Sequence, residues 1–178
     1  MARRRVVALL AGLVLTACAE EQAPVSATAF MESIDAPVVF GMVSYITANG
    51  VREGRVQADT AFTFADSTKV DLRVMAVTFY DEAGRERATV RGRTGEWNQE
   101  TDQMVARGDV ELFVFTDSST LRSQEIFYDP EIDRIWSDSA TVRTLKNGTE
   151  TRGSAFESDI EFTNVRILNV RGDAGRIF

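Results

Sequence analysis

The chain has 178 residues, 44% of them hydrophobic, and it carries a net charge of −7 with no histidine and one cysteine. This length and apolar content predict one folded domain with a substantial core. The acidic balance argues against a nucleic-acid-binding surface, because phosphate neutralisation needs clustered Lys and Arg. The lack of histidine and of a second cysteine removes the commonest general base, the commonest metal ligand and any internal disulfide. We therefore expect no metal site and no cofactor, and any catalysis would have to rely on carboxylates.

The first residues have the pattern of a bacterial export signal. Three arginines at positions 3 to 5 precede an apolar run from Val6 to Leu15, which is shorter than the about 20 residues that a membrane-spanning helix needs. Residues 15–18 read Leu-Thr-Ala-Cys and resemble the lipobox of bacterial lipoproteins. The resemblance implies that residues 1–17 are a signal peptide and that Cys18 carries acyl chains that hold the protein to a membrane. The alternative is that Cys18 is an unmodified thiol in an ordinary signal peptide.

Residues 18–40 are predicted to be a lipid anchor followed by a flexible linker. They are small and polar, with Pro24 and Pro37 among them. The folded domain is therefore expected to span residues 41–178.

Apolar and polar residues alternate from Val51 onward, which predicts β-strands. One face of the first predicted strand carries Val56, Ala58, Thr60, Phe62 and Phe64. Residues 74–80 are apolar on both faces, which predicts a central strand. Asp81 to Gly84 and Asn147-Gly148 are typical hairpin turns. No window predicts a long amphipathic helix.

A short pattern occurs twice, at residues 96–104 (EWNQETDQM) and 127–135 (FYDPEIDRI). Each copy has an aromatic residue, then Asn98 or Asp129, then a Glu-x-Asp sequence and an apolar residue. The two copies predict two acidic turns built alike, with hairpins stacked along the chain. The predicted fold is therefore all-β: an incompletely closed, twisted jelly roll or sandwich of antiparallel hairpins.

Three phrases in the second half of the chain resemble the LptC family of lipopolysaccharide export proteins. They are residues 106–112 (ARGDVEL), 121–138 (LRSQEIFYDPEIDRIWSD) and 153–167 (GSAFESDIEFTNVRI). The resemblance implies a periplasmic jelly roll that accepts lipopolysaccharide from an inner-membrane ABC transporter and passes it to a bridge of similar jelly rolls. Better-known members keep an N-terminal transmembrane helix, whereas this chain has a lipobox. The family favours the inner membrane for the anchor, and the outer membrane is the alternative.

The predicted lipid-binding interior consists of apolar strand positions. The candidates are Phe62, Phe64, Met75, Val77, Phe79, Val110, Leu112, Phe113, Phe115, Phe127 and Trp136. Alternating apolar residues also describe a filled core whose side chains contact only one another. The residues alone leave both readings open.

The last predicted strand is the candidate for pairing with a partner protein. Its residues are Phe162, Val165, Ile167 and Val170. By the family resemblance, this C-terminal edge meets the periplasmic bridge protein and the N-terminal edge meets the transporter subunits, both by strand addition. The alternative is a terminal strand that caps its own sheet.

Two other functions are alternatives to lipid transfer. The first is a scaffold that joins envelope proteins by strand addition without carrying lipid. The second, and weakest, is carbohydrate cleavage by paired carboxylates, with Glu131 and Asp133 as the visible candidates.

Overall fold

The computed structural model describes residues 37–48, 50–65 and 67–170, and these residues form eleven β-strands and no helix. The strands are β1 Val38–Ala48, β2 Val51–Thr63, β3 Lys69–Tyr80, β4 Glu86–Asn98, β5 Met104–Val114, β6 Ser119–Asp129, β7 Arg134–Ser137, β8 Thr141–Thr144, β9 Glu150–Gly153, β10 Ala155–Ser158 and β11 Arg166–Leu168. The predicted signal peptide, Cys18 and most of the predicted linker lie outside the described residues.

All eleven strands belong to one antiparallel sheet. Strands β1 to β7 follow one another in chain order, and β10 and β11 extend the sheet beyond β7. Strand β8 pairs with the first half of β6, and β9 pairs with β8. The sheet therefore divides into two branches at β6. Strand β1 has β2 as its one neighbour among the described strands. The prediction of an all-β, open sheet of hairpins is confirmed.

The two turns of the repeated sequence have the same geometry. In the first, Asn98 Oδ1 accepts the N–H two residues further on at 3.0 Å, and in the second Asp129 Oδ1 does the same at 3.0 Å. Asp102 and Asp133, four residues after these side chains, have φ values of 54° and 53°. Short side chains that bond the backbone tolerate this left-handed conformation. The repeat therefore encodes one turn structure used twice.

A line of irregular positions crosses the sheet, and we call it the fold line. Regular pairing is interrupted there in every ladder from β1 to β6. The fold line comprises Gly41, Asp59, Val74, Arg93, Asp109 and Gln124. Positive φ values of 61° at Gly41 and 49° at both Val74 and Asp109 mark sharp local changes of direction.

The side chains that point inward change at the fold line. In β3, buried Leu72 is followed by buried Met75, three residues later instead of two. The same step separates Ala58 from Ala61 in β2. Because residues i and i+2 lie on one face of a strand, a three-residue step turns the opposite face toward the core.

The sheet folds back on itself into two layers. The rings of Phe79 on β3 and Tyr128 on β6 have centroids 4.9 Å apart. Along the sheet, β3 and β6 are three strand spacings apart, roughly 14 Å. The two rings therefore meet across the core. The largest side chains that are fully buried there are Phe156, Leu72, Leu112, Leu121, Ile135, Val56, Val70, Val77, Val110 and Val114.

The sheet begins earlier in the chain than the sequence predicted. Strand β1 starts at Val38, inside the predicted linker of residues 18–40, and makes ten residue pairs with β2. It escaped prediction because it is an edge strand with apolar residues on its exposed face as well, so it lacks clean alternation. Phe40 is 79% exposed.

Gly95 offers a test of the packing at the core. A Cβ added there would lie 2.8 Å from the Val105 carbonyl oxygen and would collide with Met75 Sδ. Gly95→Ala should lower the free energy of unfolding by about 2 kcal/mol, measured by urea denaturation. The matched control is Gly54→Ala, whose Cβ would meet the flexible end of Ile46 at 3.1 Å and should cost less than about 1 kcal/mol. Equal costs would contradict this account of the packing.

Candidate functional site

The space between the two layers is the candidate site, and part of the predicted interior lies there. Met75, Val77, Phe79, Val110 and Leu112 are all buried in the core, none more than 6% exposed. These five side chains therefore lie in the interior of the fold. That they contact lipid stays a prediction.

Six residues of the predicted interior lie outside the buried core. They are Phe62, Phe64, Phe113, Phe115, Phe127 and Trp136. Phe62 and Phe64 follow the three-residue step in β2, so strict alternation from Val56 assigned them to the wrong face. Phe64 is 43% exposed.

The other four aromatic residues form two pairs on the outer face of the sheet. The rings of Phe113 and Phe115 meet edge to face at 4.9 Å, and those of Phe127 and Trp136 stack at 5.3 Å. Their inward neighbours Leu112 and Val114 are fully buried. The sequence could not assign these faces, because the strands are apolar on both sides.

The interior is close-packed in this structure. A small pocket of about 10 Å³ lies among the core residues Met75, Val77, Phe79, Val90, Met104, Ala106, Ile126, Tyr128 and Ile135. This volume is about that of a single water probe, and its lining is apolar. The reading of a filled core, which the sequence left open, therefore describes this conformation.

A cleft of about 500 Å³ opens at the margin between the layers. It is lined by Ala48, Val51, Glu53, Phe79, Tyr80, Asp81, Glu82, Arg87, Tyr128, Ile160 and Glu161. Phe79 and Tyr128, which belong to the buried core, form its floor. The cleft thus connects solvent with the apolar interior.

The cleft combines a neutral floor with an acidic rim. Burial raises the pKa of the Tyr128 phenol far above its usual value, and the charges of Glu53 and Asp102 add to this effect. Tyr128 is therefore uncharged at any physiological pH. The rim carries four carboxylates and the single guanidinium of Arg87. Such a rim favours an uncharged group over an anion.

Strand β11 is shorter than the predicted partner strand. It spans only Arg166–Leu168, and Phe162 lies before it in a loop, 4% exposed with its ring 5.7 Å from that of Phe79. Val165 and Ile167 pack partly against the core, and Val170 is 53% exposed. Phe162 is thus a core residue, which the sequence missed because its left-handed backbone breaks the strand alternation.

The carboxylates of the enzymatic hypothesis have a structural setting. Glu131 and Asp133 lie exposed in the β6–β7 turn, and Asp133 Oδ1 accepts the Ile160 N–H at 3.2 Å. The described residues include no group of three side chains arranged to bind a metal. In the same part of the chain, no helix has the length and apolarity that a membrane span requires.

Comparison with known proteins identifies a family and similar solved structures. A family model described as "Lipopolysaccharide-assembly, LptC-related" matches residues 6–174. The crystal structure of LptH, the LptA homologous periplasmic component of the lipopolysaccharide transport device of Pseudomonas aeruginosa, matches with a TM-score of 0.53 and 17% identity. The match covers 68% of this chain and 85% of that chain. At this identity the likeness concerns the fold alone, the LptA-type β-jelly roll. No curated protein gives a significant match.

Asp159 organises the loop that carries Phe162, and its titration is testable. Burial acts to raise the pKa of Asp159, but hydrogen bonds from Thr163 and Asn164 outweigh it and hold the pKa below its usual value. A carboxyl group whose pKa is lower in the folded than in the unfolded protein stabilises the fold at pH values above the unfolded pKa of about 3.9. This contribution is lost as the pH falls through the folded pKa.

We expect Asp159→Ala to lower the free energy of unfolding by about 1 kcal/mol at neutral pH, allowing for solvent screening. The difference from the parent protein should shrink as the pH falls below about 4. Urea denaturation at several pH values measures both effects, with the exposed Asp138→Ala as the control. A difference that is constant with pH would contradict the role of the ionised carboxylate.

Proposed function

The chain belongs to the LptC-related family of lipopolysaccharide-assembly proteins, and from that premise we propose that it is a periplasmic lipid-transfer protein without enzymatic activity. It accepts lipopolysaccharide from an inner-membrane ABC transporter and passes it along a bridge of β-jelly rolls toward the outer membrane. The energy for movement comes from the transporter.

The observation that carries this proposal is an apolar interior that reaches solvent through the cleft. An acyl chain moved through water needs an apolar surface along its path, and each buried methylene contributes roughly 0.8 kcal/mol. Residues from both layers can supply such a surface once the layers separate. The cleft margin is the natural place for separation, because there the layers meet without a ladder between them.

Strand β1 supports the proposed contact with the transporter. It is an eleven-residue edge strand whose exposed side chains include Phe40, Val43 and Tyr45. A long apolar edge of this kind invites addition of another strand. At the other end, β11 and its flanking residues Val165 and Val170 offer the C-terminal edge to the bridge protein.

The anchor completes the proposal. Acyl chains on Cys18 hold the domain to the inner membrane, beside the transporter, with the outer membrane as the alternative. Residues 19–37 then serve as the tether to β1. Cys18 lies outside the described residues, so its support comes from the lipobox sequence alone.

The close-packed interior favours a second candidate, a scaffold that joins envelope proteins without carrying lipid. A filled core needs no ligand, and the edges β1 and β11 would serve the same partners in either case.

Photocrosslinking separates the two functions. A photoreactive phenylalanine analogue replaces Phe79, on the cleft floor, or Phe113, on the outer face, as a matched aromatic control. In intact envelopes we expect lipopolysaccharide adducts at position 79 and none at position 113. Absence of the adduct at position 79, together with protein adducts from β1, would favour the scaffold.

The edge contact yields a separate prediction for Phe40. Phe40→Glu should reduce co-purification of the transporter by roughly thirtyfold, because loss of one buried aromatic contact is worth about 2 kcal/mol. The unfolding midpoint should hardly change, since Phe40 is already 79% exposed. Val74→Glu is the control, because Val74 is 61% exposed but lies in β3, away from the edge. Equal losses from both variants would argue against an edge contact.

A further inference from the structure

The loop between β10 and β11 lines the cleft and buries an aromatic ring next to it. We call residues 159–165 the plug segment. Its Ile160 and Glu161 line the cleft, and Phe162 follows them into the core, 4% exposed. The Phe162 ring lies 5.7 Å from that of Phe79, and the Phe79 ring lies 4.9 Å from that of Tyr128, with the rings tilted in both pairs. Phe162 thus fills the interior space that an apolar ligand in the cleft would reach on passing Phe79.

The conformation of Phe162 is a strained one. Its φ is 58°, in the left-handed region that bulky side chains rarely adopt. Backbone strain of this kind persists only where the surroundings enforce it, and it concentrates at sites that move or bind. Part of that enforcement comes from Asp159, whose backbone oxygen accepts the Phe162 N–H at 3.1 Å and whose carboxylate accepts the Thr163 N–H at 2.7 Å.

Polar contacts at the surface attach the plug segment to the rest of the domain. Arg87 Nη1 lies 3.2 Å from Glu161 Oε1, and Asp133 Oδ1 accepts the Ile160 N–H at 3.2 Å. Arg143 Nη1 donates to the Val165 oxygen at 3.1 Å. None of these contacts belongs to a ladder, because the segment lies between strands. The segment can therefore move without losing any ladder hydrogen bond of its own.

The chemistry of the cleft selects what can replace the ring. Its deep walls, Phe79, Tyr128 and Ile160, are aromatic or aliphatic, so they suit an unbranched hydrocarbon. Carboxylates on the rim oppose entry of an anionic headgroup. The ligand must therefore enter by its uncharged end.

We propose that Phe162 occupies the entry position for one acyl chain, and that the plug segment withdraws when the chain takes this position. The inference rests on the proposed lipid-transfer function and adds to it the site of entry and the residue that guards it. In the resting protein the ring competes with the acyl chain, so apparent affinity is reduced by the small fraction of open molecules.

The first test compares binding of the methyl ester of cis-parinaric acid, an uncharged and unbranched fluorescent lipid, to the full chain and to Phe162→Ala. Removal of the competing ring should tighten binding roughly tenfold. The control is Phe156→Ala, which empties an equal volume at a core position 1% exposed that lies in β10, outside the plug segment. No tightening by Phe162→Ala, or equal tightening by both variants, would overturn the proposal.

The second test leaves the core intact and acts on the Arg87–Glu161 ion pair. Arg87→Glu and Glu161→Arg each place like charges together, so amide hydrogen exchange at residues 160–165 and probe affinity should both rise, by roughly threefold. The double variant restores opposite charges and should return both quantities to the parent values. Unchanged exchange and affinity in the single variants would contradict a releasable plug.

Failure of the plug proposal can be distinguished from failure of the proposed lipid transfer. If neither set of variants alters probe binding while position 79 still crosslinks lipopolysaccharide, the plug is wrong and lipid transfer stands. If the probe behaves as expected but position 79 yields no lipopolysaccharide adduct, the acyl site is real and the protein serves another lipid.

Discussion

The interior of this protein depends on the change of inward face at the fold line. A regular strand of thirteen residues, the length of β2 and β4, is roughly 43 Å long and presents one face along its whole length. A flat sheet of such strands would leave that face in water. The bend lets one sheet supply both walls of the core, so that Phe79 on β3 meets Tyr128 on β6. The cleft is a consequence, because the walls belong to one open sheet and no ladder among the described strands joins them at this margin.

Sequence patterns predicted the elements of the fold better than the faces of the strands. The repeated turns were predictable because Asn98 and Asp129 act locally, each bonding an N–H two residues away. Val110 and Leu112 were predictable because alternation holds within one side of the fold line. Phe62 was misplaced because a strict period of two cannot register a three-residue step. At the fold line, the residue with positive φ is Gly41 in β1 and Val74 in β3. A glycine can indicate such a bend in a sequence, whereas a valine does not predict a positive φ.

A close-packed interior is compatible with lipid transfer. An apolar space with neither lipid nor side chains would lose dispersion contacts along its whole lining, so the resting protein fills it with its own residues. The strained backbone of Phe162 and its position outside any ladder make it easier to remove than Leu72 or Leu112, which are held in long ladders on both sides. If the acyl chain must displace Phe162, the protein binds it weakly, as the proposed lipid transfer requires for release to the next jelly roll.

The plug segment continues directly into β11, and this links the interior to the C-terminal edge of the sheet. Three residue pairs hold β11 to β10, whereas ten hold β1 to β2. On this proposal, movement of Phe162 acts on the short β10–β11 ladder, which is close to it in sequence. The longer β1–β2 ladder remains undisturbed. On the proposed mechanism, an acyl chain that displaces Phe162 also shifts the edge offered to the next jelly roll. Loading and onward transfer would then depend on the same seven residues, and the direction of transfer would follow from the difference between a firmly held first edge and a loosely held last one.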